Sequence, residues 1–310
     1  MGDMPNDSGN RLEPVWYVPP MVNRSDSLKI TVELVKELIR EQFPQWAALP
    51  IRAVQPGGHD NRTFRLGECL AVRLPSHPRY EAQVEKEARF LPYLASHLSV
   101  PITAPEAVGQ PTDKYPLVWS VNRWLPGQTA QEIHDGQKPL AVGLAKFLQE
   151  LWAVSANAGP PAGQHNFHRG GDLGVYHEET LAALAELGDR VNQDACRRIW
   201  QRSLASQWDR PSVWVHGDVA PGNLLVDQTG LIGVIDFGCM GVGDPACDLV
   251  MAWTYFADAG RELFRNSLEI DSETWNRARG WALWKALITF HQPGSSAVVR
   301  TLVADESARS

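Results

Sequence analysis

The stretch Val215-His216-Gly217-Asp218-Val219-Ala220-Pro221-Gly222-Asn223-Leu224-Leu225-Val226, with Gly233-Val234-Ile235-Asp236-Phe237-Gly238 soon after it, decides the reading of this chain. Short apolar runs flank a polar loop that carries Asp218 and Asn223, and a further apolar run delivers Asp236 at its end. Transfer of a phosphoryl group from a nucleotide needs a carboxylate near the acceptor hydroxyl and two oxygen ligands for a Mg²⁺ ion bridging the phosphates. Asp218, Asn223 and Asp236 supply that set in order along the chain. Each residue alone is commonplace, because aspartate and asparagine in turns often do no more than hydrogen-bond nearby backbone.

Upstream, apolar spacing predicts a helix over 31–43, closed by Pro44, and a hairpin with strands near 51–54 and 63–66 around Pro56-Gly57-Gly58. Residues 70–74 read as a strand with Leu70, Val72 and Leu74 on one face and Ala71 and Arg73 on the other. A helix follows over 80–95, with Glu81, Glu85 and Arg89 as its solvated stripe. Glu87 falls on the buried side, between Val84 and Leu91, where an unpaired carboxylate is expensive. It requires a cationic partner. Val100-Pro101 and Pro105 mark a loop, and 115–125 read as a buried strand ending at Pro126-Gly127. Beyond it the pattern is mostly helical, over 140–152, 178–187, 191–204, 249–256 and 275–290. Short strands at 213–215, 224–226 and 231–235 carry the opening stretch, and 158–175 form a glycine-rich loop.

Taken in order, these motifs resemble the aminoglycoside phosphotransferase family, the small-molecule branch of the protein-kinase-like fold, over roughly residues 45–290. The resemblance implies an α+β, two-lobed architecture with a β-rich N-terminal lobe and a mostly helical C-terminal lobe. Residues 1–25 are expected as a leader, 26–122 as the nucleotide-binding lobe and 123–310 as the catalytic and substrate-binding lobe. It also implies roles. Asp218 orients the substrate hydroxyl and accepts its proton, Asn223 and Asp236 ligate Mg²⁺, and Asp248 braces the catalytic loop. Arg73, where the family usually has lysine, contacts the phosphates of ATP or GTP, and Glu87 pairs with it. Gly57, Gly58 and Asn61 belong to the nucleotide loop, and backbone groups of Trp119, Ser120 and Val121 meet the purine.

The chain departs from the wider pattern in three places. The loop Gln55-Pro56-Gly57-Gly58-His59-Asp60-Asn61-Arg62 lacks G-x-G-x-x-G, arginine replaces lysine at position 73, and Gly217 replaces the protein-kinase arginine that reads a phosphorylated loop. Only eleven residues separate Asp236 from Asp248, too few for a segment that docks a peptide. A protein substrate is therefore not expected.

Composition narrows the rest. The 310 residues carry a formal charge of −7 and no basic tract, which argues against nucleic-acid or anionic-membrane partners. None of the four cysteines forms a CxxC pair, no segment reaches a membrane-spanning apolar length, and the N-terminus lacks a signal-peptide pattern, so a cytoplasmic location is expected. From 257 to 310 seven acidic residues face seven basic ones, and from 124 to 212 ten face eight, a small surplus for a site meant to hold a polycation. The expected partners are a nucleoside triphosphate and a small hydroxylated molecule such as an aminoglycoside, macrolide, amino sugar or related metabolite. Two rivals use the same residues: a metal-dependent phosphohydrolase built on His216, Asp218, Asp236 and Asp244, and a non-catalytic nucleotide-binding module. Trp281, Trp284 and Ile288 follow helical spacing and read as core, and Cys239 and Cys247 as small packing residues.

Overall fold

A computed structural model describes residues 28–55, 60–132 and 137–308. The expected leader, Gly57 and Gly58 lie outside the described residues. Thr31 caps helix α1 (Val32–Gln42) by accepting from the Leu34 backbone N–H at 3.3 Å, and a single apolar face, Val35, Leu38 and Ile39, turns inward. Strands β1 (Ile51–Ala53), β2 (Asn61–Leu66), β3 (Leu70–Pro75), β4 (Pro105–Gly109) and β5 (Trp119–Arg123) form one antiparallel sheet in the order β1-β2-β3-β5-β4. The inward face of α1 packs on Phe64, Val72, Leu74, Trp119 and Val121 of that sheet, giving the first core. Helix α2 (Glu81–Ala95) lies between β3 and β4 in the chain and sends Leu91 and Leu94 into a different, larger core. One helix thereby ties the two lobes.

That larger core is built by α3 (Gln137–Ala153), α4 (His177–Leu187), α5 (Gln193–Leu204), the short α6 (Met251–Thr254), α7 (Asp258–Asn266), α8 (Ser272–Ile288) and α9 (Ser295–Ser307). Among them run β6 (Gln128–Thr129), β7 (Val213–Val215), β8 (Leu224–Asp227), β9 (Gly230–Val234) and β10 (Gly241–Gly243). They form a three-stranded sheet, β6-β8-β9, and a two-stranded pair, β10-β7. The β8–β9 hairpin and β7 bring both ends of the opening stretch to one edge of the helical lobe.

Three expectations are corrected. The segment after Pro101 is not all loop, because β4 starts at Pro105; as an edge strand it gives up no ladder bond by opening with proline. The expected strand over 115–125 begins only at Trp119, although Tyr115 and Leu117 are buried and so mimic its pattern. Helices α7 and α9 were not expected. Their inward positions include Arg261 and Glu306, and Glu306 is fully buried against Arg279 at 2.8 Å, so charge interrupts the apolar period. No helix among the described residues is long and apolar enough to cross a membrane.

Candidate active site

The loop after β7 is held from beneath by Asp248. Its Oδ2 accepts from the His216 backbone N–H and its Oδ1 from that of Gly217, both at 2.7 Å, and the carboxyl is fully buried. Burial pushes its pKa up, against the pull of these backbone donors. His216 is equally buried and commits both ring nitrogens: Nε2–H donates to the Ile235 carbonyl at 3.0 Å, and Nδ1 accepts from the Asp218 N–H at 3.2 Å. That pairing requires the neutral Nε2-protonated tautomer. The imidazole is thus a strut between the two functional loops. Gly217 has φ +81°, and a Cβ there would collide with the Cys239 carbonyl oxygen, so no side chain fits where protein kinases carry arginine.

Asp218 emerges exposed from this scaffold. Asn223, in a short turn of Pro221–Asn223, donates from Nδ2 to the Asp218 carbonyl at 2.9 Å and to Asp218 Oδ2 at 3.2 Å. Those donors fix the amide's orientation and leave Asn223 Oδ1 available as a ligand.

Asp236 follows the end of β9 with φ +65°, a conformation that costs a non-glycine residue about 1–3 kcal/mol and persists only where neighbours enforce it. Phe237, fully buried against the His216 ring at 4.5 Å, anchors the turn. Asp236 Oδ1 accepts from Arg73 Nη2 at 2.9 Å, while Arg73 Nη1 reaches both Glu87 oxygens, at 2.9 and 3.2 Å. The pairing that burial of Glu87 demanded is therefore present, and it extends across the cleft to the other lobe. Burial raises the Glu87 pKa against the pull of Arg73. Burial also opposes the Arg73 charge, but Glu87 and Asp236 outweigh it and the pKa is raised.

Lys86, the neighbour of Glu87, is a further member of the site that the sequence did not reveal. Its Nζ donates to the Gly238 carbonyl at 2.8 Å and the Met240 carbonyl at 3.0 Å, and meets His165 Nδ1 at 3.1 Å. Burial lowers its pKa to about 8. Helix α2 thus grips the loop beyond Asp236 directly as well as through Arg73.

The remaining expected positions fall elsewhere. Asn61 opens β2 opposite Pro75 and is buried. Ser120 and Val121 are laddered on both edges, to β3 and β4, and Trp119 to β4, with the Trp119 and Val121 side chains in the core. Ser120 and Val121 thus sit inside the sheet, and Trp119 has a partner strand on one edge. The chain leaves the ladder only after Arg123. Asp244, which the phosphohydrolase rival needs, is turned away and bound to Arg277 Nε at 2.7 Å.

An antiparallel five-stranded lobe, a helical lobe, and an Asp-Asn-Asp set on the loops where they meet define a protein-kinase-like fold. Residues 51–281 match the model of the phosphotransferase enzyme family, APH, and the chain belongs to that family. An aminoglycoside 3'-phosphotransferase of Escherichia coli is 26% identical over 140 residues, 44% of this chain and 51% of the relative. The match thus spans about half the length of the curated relatives, a Salmonella typhimurium enzyme of the same name being the other. Among solved structures, a GDP and kanamycin complex of APH(2") superposes with a TM-score of 0.62 at 18% identity, over 89% of this chain and 98% of that one. A macrolide 2'-phosphotransferase from Brachybacterium faecium does so with a TM-score of 0.60 at 21% identity, over 86% and 98%.

Proposed function

We propose that the protein transfers the γ-phosphoryl group of ATP or GTP to a hydroxyl of a small molecule, with Mg²⁺ as cofactor. The observation that carries this reading is the convergence of Asp218, Asn223 and Asp236, with Arg73 bridging Glu87 to Asp236 across the lobes. Asp218, exposed and tied to neither Arg73 nor Asp236, is free to hydrogen-bond an acceptor hydroxyl and take its proton. Asn223 Oδ1 and Asp236 Oδ2 are hard oxygen donors suited to Mg²⁺, which when bound neutralises charge on the phosphates. No cluster of three or more histidine, cysteine, aspartate or glutamate side chains with metal-site geometry occurs among the described residues, which suits a metal completed by nucleotide oxygens. Arg73 keeps a fixed charge beside Asp236, and a guanidinium offers phosphate a fork where lysine offers a point.

The phosphohydrolase rival is disfavoured because Asp244 is consumed by Arg277 and His216 by its two scaffold bonds. Incubation with γ-labelled ATP and GTP, Mg²⁺ and a panel of alcohols separates the readings. The proposal expects label on an acceptor; release only to water, or binding without turnover, contradicts it.

A further inference from the structure

Lys86 is buried on α2, yet it forms no ion pair among the described residues, because both oxygens of the neighbouring Glu87 accept from Arg73. Three other acceptors surround its Nζ: the Gly238 carbonyl at 2.8 Å, the Met240 carbonyl at 3.0 Å and His165 Nδ1 at 3.1 Å. His165 accepts at Nδ1 because its Nε2–H donates to the Pro161 carbonyl at 2.9 Å. An ammonium carries three N–H groups and no lone pair, so the charged form satisfies this set and a neutral amine would leave one acceptor unmet. Burial lowers the Lys86 pKa only to about 8, so the ammonium persists at neutral pH.

Two of the three acceptors belong to the stretch that follows Asp236. It runs from β9 to β10 through a turn in which the Met240 N–H donates to the Phe237 carbonyl at 2.9 Å, so both its ends lie in the helical lobe while Lys86 holds its middle from the other lobe. Gln83, one turn earlier on the same face of α2, is buried with its Oε1 3.0 Å from where a Cβ on Gly238 would stand. Helix α2 therefore meets the loop at three points: Gln83 on Gly238, Lys86 on two carbonyls, and Glu87 through Arg73 on Asp236. A buried charge is a costly way to fill space, since an apolar side chain of like volume often serves stability as well. Asp236, at φ +65°, needs neighbours that enforce its conformation. Phosphoryl transfer in this fold requires the glutamate-bearing helix and the metal-binding loop to be in place together, and the eleven residues between Asp236 and Asp248 leave no separate segment to align them. We propose that Lys86 is a positioning residue for Asp236: its ammonium ties the Gly238 and Met240 carbonyls to α2 and so holds the Asp236 turn in the geometry that receives Mg²⁺. This rests on the phosphotransferase reading.

The test compares the wild type with Lys86→Met, which keeps the length of the side chain and removes its charge and donors, and with Lys86→Arg, which keeps the charge. Calorimetric titration with ADP over a series of Mg²⁺ concentrations separates metal from nucleotide. In Lys86→Met the affinity for ADP without Mg²⁺ should stay within about twofold, while the Mg²⁺ concentration that half-maximally tightens binding rises about tenfold or more, the scale of one charge-assisted hydrogen bond. Lys86→Arg should recover part of that loss. Hydrogen exchange at the backbone amides of 237–241, read in the absence of metal and nucleotide, should quicken about tenfold or more in Lys86→Met. An unchanged Mg²⁺ requirement, an equal loss of ADP affinity with and without Mg²⁺, or unchanged exchange overturns the proposal. Circular dichroism checks folding, and if Lys86→Met does not fold, Lys86→Gln, which keeps two donors, is read against the same outcomes. Because exchange is read without metal, nucleotide or turnover, failure here is distinct from failure of phosphoryl transfer, which the labelled-nucleotide experiment reports.

Discussion

The cleft between the lobes and the helical lobe around α8 hold charge in opposite ways. Toward the cleft between the lobes every buried charge is met: Arg73 by Glu87 and Asp236, Lys86 by two carbonyls, Asp248 by two backbone N–H groups. Toward the helical lobe Arg169 meets aromatic faces and no carboxylate among the described residues, and Lys285 stands beside it. A site whose charges already balance is preorganised, which suits the metal-bound triphosphate of the proposed reaction.

The largest expected effect comes from breaking the balanced side at Asp236. Asp236→Ala removes a hard oxygen ligand and the cross-lobe partner of Arg73, so turnover and Mg²⁺-dependent nucleotide affinity should both be lost while the fold persists. Retained turnover with unchanged Mg²⁺ dependence would show that the balanced side is not the metal side. Circular dichroism beside the Mg²⁺ titration checks both halves.

Next is Gly217, where scaffold and strain meet. A left-handed conformation costs a non-glycine residue about 1–2 kcal/mol, and the collision with the Cys239 carbonyl adds to it. Gly217→Ala should therefore destabilise by at least about 2 kcal/mol in denaturant unfolding. A change under about 0.5 kcal/mol would mean the loop yields and does not hold Asp218 rigidly.

A smaller effect sharpens the pairing itself. Truncating Arg73 and Glu87 singly and together should reveal coupling of about 0.5–3 kcal/mol in stability or nucleotide binding, because each truncation strands a buried partner. Glu85→Ala, on the exposed face of α2, is the control and should stay within about 0.5 kcal/mol. Additive effects of the first pair would mean that Arg73 and Glu87 do not support one another.

The same contrast explains what could be read in the sequence. Glu87 was legible because a carboxylate on the buried face of a helix needs a cation, and Asp218, Asn223 and Asp236 because short loops between apolar strands keep their order and spacing. Lys86 was not, since a lysine flanked by Glu85 and Glu87 looks like part of a solvated stripe until the loop beyond Asp236 is folded over it. Glu81 misled similarly: it was placed with the solvated stripe, yet its Oε1 accepts from the Val118 backbone N–H at 2.7 Å. That Ser120 and Val121 have a laddered neighbour on each edge was not legible either, because sequence shows that a strand is buried but not which strands flank it. Arg169 was hidden altogether. It lies in a glycine-rich loop, more than a hundred residues from the tryptophans of α8 that receive it.

The central claim, that the balanced side handles the nucleotide while Asp218 handles the acceptor, is tested most directly by Asp218→Asn. The variant keeps the side chain's shape and removes its charge and proton affinity. With an acceptor found in the labelled-nucleotide screen, kcat should fall by about 10²–10⁴-fold, the usual contribution of a general base, while Mg–nucleotide affinity changes little. Loss of Mg–nucleotide binding together with activity would make Asp218 a metal ligand, and unchanged kcat would remove it from the reaction; either result contradicts the account.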